Sequence, residues 1–349
     1  MRLQIIPFFA ALICGILCTY YDYGYEGASE GDYAGLAMGP STANCAPECT
    51  CPYSYPTAMY CDNRKLKKIP MIPPGIQYLY LQSNQLDGIE DGTFKNVTDL
   101  KWLILDHNFL TNAKIKKNVF SGLKHLEKLY ISFNNLTELV GPLPKSLDDL
   151  RVTNNKISKI PSNTLEGLEN LTTIYLQHNA LKEDSISGAF KGLKQLSHLD
   201  LSFNEITKLP KGLPSSISTL YLDNNKIGNI PDEYFQGFKS LQFLRLSNNK
   251  LKDGGVPGNA FNVSSLVELD LSFNELGSIP AVNEGLENLY LQVNKIQKFN
   301  LGSFCKIIGP LEYSKIKHLR LDGNNISRTD MPHDMYTCLR VANEIDLGH

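Results

Sequence analysis

The chain holds little that points to catalysis, nucleic acid or a membrane span. The motifs H-E-x-x-H, G-x-S-x-G and G-x-x-x-x-G-K-[ST] are absent. Its histidines, His107, His125, His178, His198, His318, His333 and His349, are scattered without ligand spacing, so neither an enzyme nor a metal or cofactor site is expected. Basic charge is not in excess: 34 Lys+Arg against 36 Asp+Glu give a formal net charge of −2, which leaves nothing to neutralise a phosphate backbone. Nucleic acid is therefore not an expected partner. Long apolar runs are lacking with one exception, Leu3 to Cys18, interrupted by Gln4. That run falls short of the ~20 apolar residues a span needs, follows Arg2 and ends on a small residue, which is the layout of a secretory signal peptide over residues 1–18. Membrane insertion is not expected. A linker is also missing, because 18 Pro and 26 Gly are spread along the 349 residues, so one elongated domain is the better expectation.

Charge is unevenly placed. Residues 19–44 carry Asp22, Glu26, Glu30 and Asp32 with no Lys or Arg, beside Tyr20, Tyr21, Tyr23, Tyr25 and Tyr33. Setting aside that arm and Arg2 leaves 33 basic and 32 acidic residues, so the body is nearly neutral and the acidity sits in one segment. The arm shows no hydrophobic periodicity and is expected to be disordered. Tyrosines among carboxylates in an exported chain are candidates for sulfation, which would add permanent negative charge.

What the chain does have is a repeat. Leu100, Leu103, Leu105, Asn108 and Leu110 fit L-x-x-L-x-L-x-x-N-x-L, and the same frame starts at Ile76, Leu100, Leu126, Leu147, Leu171, Leu196, Ile217, Leu241, Leu266, Leu286 and Ile316. Asparagine fills the ninth place in every copy: Asn84, Asn108, Asn134, Asn155, Asn179, Asn204, Asn225, Asn249, Asn274, Asn294 and Asn324. Apolar residues two apart place both side chains on the inner face of a short strand. The asparagine amide can then satisfy backbone groups that the following turn would leave buried and unpaired. Aspartate would bring a buried charge into that column, and alanine would leave the backbone unsatisfied. The pattern predicts a leucine-rich repeat solenoid, a curved parallel sheet with an irregular convex side, across residues 76–326. A long insertion is expected at 297–315, and the ends must be capped. A short unit followed by two longer ones recurs through most of the array, which suggests an ancestral duplication of three units.

Export changes how the cysteines are read. Cys45, Cys49, Cys51 and Cys61 lie in residues 45–75 as C-x3-C-x-C-x9-C, which predicts a disulfide-bonded cap. The spacing lacks the paired C-x2-C knuckles of a zinc site, and the three possible pairings stay open. Cys305 and Cys338 are expected to bridge and staple the other end, where residues 327–349 form a C-terminal capping repeat.

At this point several segments resemble one family. They are YYDY at Tyr20, NCAPECTCP at Asn44, GPLPKSL at Gly141, FNVSSLVELDLSFN at Phe261, SFCKIIGP at Ser303 and LRVANE at Leu339. Together they are similar to the small leucine-rich proteoglycans of the keratan sulfate class, and they span essentially the whole mature chain. The resemblance implies a secreted extracellular-matrix protein that binds fibrillar collagen and regulates fibril diameter and spacing. It also implies the pairings Cys45–Cys51 and Cys49–Cys61. Growth factors, cell-surface receptors, other matrix proteins and a second copy of the chain, as a homodimer, are further candidate partners. The competing function is a soluble leucine-rich repeat ligand-binding receptor or innate-immune decoy receptor.

Five Asn-x-Ser/Thr sequons occur, at Asn96, Asn135, Asn170, Asn262 and Asn325. The resemblance implies N-linked chains, extended as keratan sulfate, at the first four; Asn325 lies outside the family pattern. Asn135 follows the column residue Asn134 and is expected to face solvent. On the concave face, the residue between the two inner leucines runs Tyr80, Ile104, Tyr130, Arg151, Tyr175, Asp200, Tyr221, Arg245, Asp270, Tyr290 and Arg320. These positions are expected to be free of packing constraint and to suit a polar, extended triple helix. Tyr221, Asp223 and Arg245 are the first candidates for collagen contact, Asp223 being favoured by the resemblance.

Overall fold

The computed structural model describes residues 44–309 and 311–348. The signal and arm expectations, including Tyr20, Tyr21, Tyr23, Tyr25 and Tyr33, lie outside the described residues.

A three-residue strand forms at each copy of the frame. The strands are β1 (Ala58–Tyr60), β2 (Tyr78–Tyr80), β3 (Trp102–Ile104), β4 (Lys128–Tyr130), β5 (Asp149–Arg151), β6 (Thr173–Tyr175) and β7 (His198–Asp200). They continue with β8 (Thr219–Tyr221), β9 (Phe243–Arg245), β10 (Glu268–Asp270), β11 (Asn288–Tyr290), β12 (His318–Arg320) and β13 (Glu344–Asp346). All pair in chain order into one 13-stranded sheet, parallel throughout. Register is fixed by the leucine: Leu79 lies opposite Leu103, Leu103 opposite Leu129, and so on along the array. These middle residues are fully buried, as are the leucines two positions on, such as Leu81, Leu105 and Leu201. Opposite the sheet the chain returns through short turns such as the 3-10 segment Tyr234–Gly237 and the four-residue helix α1 (Glu183–Ile186). Phenylalanines fill that side of the core, with Phe94 against Phe120 at 6.2 Å and Phe235 against Phe261 at 6.0 Å.

The asparagine column is hydrogen-bonded as its chemistry demands. Asn204 Nδ2 donates to the carbonyls of Leu176 (3.0 Å), Leu201 (3.0 Å) and Ser202 (3.1 Å), while Oδ1 accepts from the Leu181 N–H at 2.9 Å. Each such amide therefore ties its own turn to the preceding repeat. The sharp turn sits one residue earlier than the asparagine. His107, Phe133, Asn154, His178, Phe203, Asn224, Asn248, Phe273 and Val293 all have φ near +50°, and Gly323 alone fills the position with a glycine. Left-handed backbone is unfavourable for bulky residues, so the asparagine bonds on either side must impose it.

Both ends are closed. Disulfides join Cys45 to Cys51 and Cys49 to Cys61, and the Thr50 and Tyr60 backbones exchange two 2.8 Å hydrogen bonds that cover the free edge of β1. A third disulfide joins Cys305 to Cys338, the last residue of the second helix, α2 (Met335–Cys338). Closing a 33-residue interval stabilises the folded state by about 3–4 kcal/mol through the entropy of the unfolded chain. Replacing both cysteines by serine is expected to lower the thermal midpoint and to raise hydrogen exchange first in residues 316–346. An unchanged exchange profile there would show that the bridge does not hold the last two strands.

Candidate functional site: the strand face

Each strand shows two residues to the concave face, the ones flanking its buried leucine. The second of these, with the residue two places on, makes the two columns that the repeat pattern exposes. Their expected freedom from packing is not what the structure has. Asp106, Ser132, Asp200, Ser202 and Ser272 are all buried, at 2–9% exposure. Neighbouring parallel strands lie only ~4.8 Å apart, so short polar side chains are pressed against the next repeat and bond its backbone. Asp106 accepts from the Ser132 N–H at 2.6 Å, and Asp223 Oδ1 from the Ser247 N–H at 2.8 Å.

Larger residues form a ladder over that polar floor. Arg245 of β9 lies over the Tyr221 ring of β8 at 4.6 Å and pairs with Glu268 of β10 at 3.1 Å. Four repeats earlier, Arg151 of β5 sits between Tyr130 (4.5 Å) and Tyr175 (4.9 Å) and pairs with Asp149 at 3.0 Å, while Tyr130 donates to Asp149 at 2.7 Å. His198 packs its ring against Tyr175 at 4.7 Å and edge-on to Tyr221 at 5.5 Å. Tyr221, Asp223 and Arg245 are thus brought together on adjacent repeats, each partly buried. Sequence reasoning did not pick out Glu268, Asp149 or His198. They occupy the first residue of the strand, and a signal was available there: the column Trp102, Lys128, Asp149, His198, Phe243, Glu268 also alternates with buried leucine.

The electrostatics follow from this crowding. Burial, and then the neighbouring charge of Asp270, push the Asp223 carboxyl up to about 7, against the Ser247 bonds and Arg245. Burial pushes Asp200 up to about 6 and raises Asp270 as well. His198 is pushed down to about 4, mainly by burial, and is neutral at physiological pH. Because the folded-state values of Asp223 and Asp200 lie above those of an unfolded chain, the protonated forms favour folding. That stabilisation is complete below about pH 4 and is lost as pH rises through 6 to 7. Asp223→Asn keeps an oxygen for the Ser247 N–H, so its stability relative to wild type is expected to rise between pH 4 and pH 7. Thermal melts at both pH values test this, and a constant difference between the two proteins would contradict it.

The sequons lie off this face. Asn96, Asn170, Asn262 and Asn325 are exposed, and none of the five falls within a strand. Asn135 is only partly exposed, and Lys156 Nζ donates to its Oδ1 at 3.0 Å. Among the described residues, no group of three or more His, Cys, Asp or Glu side chains could hold a metal ion, and no helix is long and apolar enough to cross a membrane.

Comparison places this architecture among leucine-rich repeat proteins. The Leucine rich repeat family model matches residues 74–136, 145–206 and 215–276, and the Leucine rich repeat N-terminal domain model matches 44–73. Lumican of Coturnix japonica is 67% identical over 99% of this chain and 100% of its own length, and lumican of Homo sapiens is 65% identical over 100% of both. Among solved structures, a chain of the octameric complex of Latrophilin 3, Unc5D and FLRT2 (LRR) superposes with a TM-score of 0.68 at 26% identity, covering 86% of this chain and 83% of that one. The chain belongs to the lumican family of small leucine-rich proteoglycans, which are secreted extracellular-matrix proteins and not enzymes.

Proposed function

We propose that the protein binds fibrillar collagen through the concave face centred on Tyr221, Asp223 and Arg245, and thereby limits the lateral growth of fibrils and sets their spacing. What supports the reading most is the ladder of aromatic, guanidinium and carboxylate groups on adjacent strands, above all Arg245 over Tyr221 and against Glu268. A collagen triple helix is a polyproline-like rod with its glycines packed at the axis, so it offers backbone carbonyls and charged side chains rather than a large apolar anchor. Planar guanidinium groups and tyrosine hydroxyls are suited to such a partner. Asp223 contributes by holding the Ser247 backbone as well as by charge.

N-linked chains, extended as keratan sulfate, belong on Asn96, Asn135, Asn170 and Asn262. From those positions they would project away from the strands and leave the face open to a fibril. Sulfated tyrosines in the acidic arm would add attraction for basic segments of matrix proteins or growth factors. Co-sedimentation of the secreted protein with reconstituted collagen fibrils tests the reading. It predicts saturable binding that weakens on Arg245→Ala, and recovery of the protein entirely in the supernatant would overturn it.

A further inference from the structure

The left-handed residues that precede the asparagine column form a row along one border of the sheet. Three of them are phenylalanines exactly three repeats apart: Phe133, Phe203 and Phe273, exposed by 44%, 43% and 51%. Phe133 is stacked by His107 of the preceding repeat at 4.1 Å and 12°, and Phe203 by His178 at 4.0 Å and 15°. In each case the histidine covers one face of the ring. The other face looks toward the next repeat, where the same column holds a small residue, Asn154 or Asn224.

Asn135, a sequon asparagine, lies two residues after Phe133. Lys156, which belongs to the next repeat, holds Asn135 Oδ1 at 3.0 Å. That bond draws the amide toward the side of Phe133 that His107 leaves open. Thr137, the third sequon residue, is fixed from the preceding repeat: its N–H and hydroxyl bond Asn112 Oδ1 at 2.8 and 3.2 Å. We propose that Phe133, seated on His107, is a built-in platform for the first N-acetylglucosamine of a glycan on Asn135, the apolar face of the sugar ring lying on the phenyl ring. The inference rests on the glycosylation reading above. In that reaction Asn135 Nδ2 bonds to C1 of the sugar and loses one hydrogen, and the lipid-linked pyrophosphate leaves. Lys156 remains bonded to Oδ1, which the reaction does not consume. Aromatic rings favour flat, weakly polarised C–H surfaces on their faces, and an exposed phenylalanine next to the attachment point removes such a surface from water.

Asn325 provides a contrast within the same molecule. It occupies the equivalent place after the column residue Asn324, but the residue two before it is Gly323, so there is no ring for a sugar to lie on. Glu205 is the equivalent of Asn135 three repeats on, with Phe203 two before it, His178 beneath the ring and Lys226 in the place of Lys156. Thr207 is also held from the preceding repeat, through Glu183 at 2.6 and 3.2 Å. Glu205→Asn therefore creates Asn-Ile-Thr on a ready-made copy of the platform, at the expense of a single exposed 3.7 Å ion pair to Lys182.

The test uses the full chain secreted from mammalian cells with glycans trimmed to one N-acetylglucosamine. Melting temperatures are compared for wild type, Asn135→Gln, Phe133→Ala and the double variant. The expected result is a stabilising interval between wild type and Asn135→Gln that shrinks by at least half in the Phe133→Ala background. Glu205→Asn is expected to gain one glycan by mass and a second stabilising interval over Glu205→Gln, lost with Phe203→Ala. Equal intervals with and without the phenylalanines, on occupied asparagines, would overturn the platform and leave glycosylation standing. A bare Asn135 in the secreted protein would overturn the glycosylation reading at that site, and the platform there with it.

Discussion

Replacing Asn204 by alanine is expected to lower the unfolding free energy by about 3–5 kcal/mol, since one buried N–H left without its partner costs roughly 1–3 kcal/mol and each further hydrogen bond lost about 0.5–1.5 kcal/mol. The substitution leaves the Leu181 N–H without its acceptor and removes one of two donors from each of the carbonyls of Leu176, Leu201 and Ser202, which keep Asn179 Nδ2, Asn225 Nδ2 and the His178 N–H. Asn204 is 7% exposed, so water has little access to replace them. Phe203, in left-handed backbone, would keep its N–H bond to the Asp223 carbonyl but lose the Asn204 amide bond to the Ser202 carbonyl that closes the turn beside it. Asn204→Asp is expected to be worse at neutral pH, because it keeps the acceptor but turns a charge toward three carbonyl oxygens. It should recover part of the loss on acidification, when the protonated carboxyl can donate again. Denaturant unfolding measures both variants, and a midpoint equal to that of the parent would remove the asparagine ladder from the account of the fold.

The second large effect is on binding. Arg245→Ala is expected to weaken collagen affinity by about 30-fold or more, the loss of at least ~2 kcal/mol that marks a central, well-packed contact residue. Arg245 is held by Tyr221 below and Glu268 beside it, so its guanidinium meets a partner already oriented, with its side chain only 26% exposed. Removing it also leaves Glu268, Asp223 and Asp270 without their nearest cation, so the face becomes more acidic. Arg245→Lys should restore charge but not the planar fork, and should recover only part of the affinity. Arg320→Ala, on β12 near the C-terminal end of the sheet, serves as a comparison that should cost less. Equilibrium binding to immobilised triple-helical collagen at fixed ionic strength would measure all three. Equal affinities for wild type and Arg245→Ala, with melting temperatures matched, would move the contact elsewhere on the molecule.

Much of the fold is legible in the sequence because one physical constraint recurs. A leucine that must be buried twice per strand, and an amide that must close each turn, leave the same trace at eleven places from Ile76 to Ile316. The outermost strands leave almost none. β1 and β13 stand at the two ends of the strand order, with no repeat beyond them, and Ala58-Met59-Tyr60 and Glu344-Ile345-Asp346 carry neither the column asparagine nor the full leucine set. Propensity also hides the row of Phe133, Phe203 and Phe273. Nothing in the preferences of phenylalanine announces left-handed backbone, which tertiary hydrogen bonds impose.

The site was half legible. Tyr221 and Arg245 follow from the strand pattern, but that Asp106 and Asp200 are buried does not. Alternation reports which way a side chain points; it is silent on how closely the next repeat crowds it. Glu268 and Asp149 were legible by the same alternation, each directly before a buried leucine, but the reading followed only the residue after that leucine.

Collagen fibrillogenesis followed by electron microscopy tests the central claim most directly. Fibrils assembled with the wild-type protein should be narrower and more uniform than fibrils assembled alone, and Arg245→Ala should restore the wider distribution. Identical diameters with and without the wild-type protein would contradict the account.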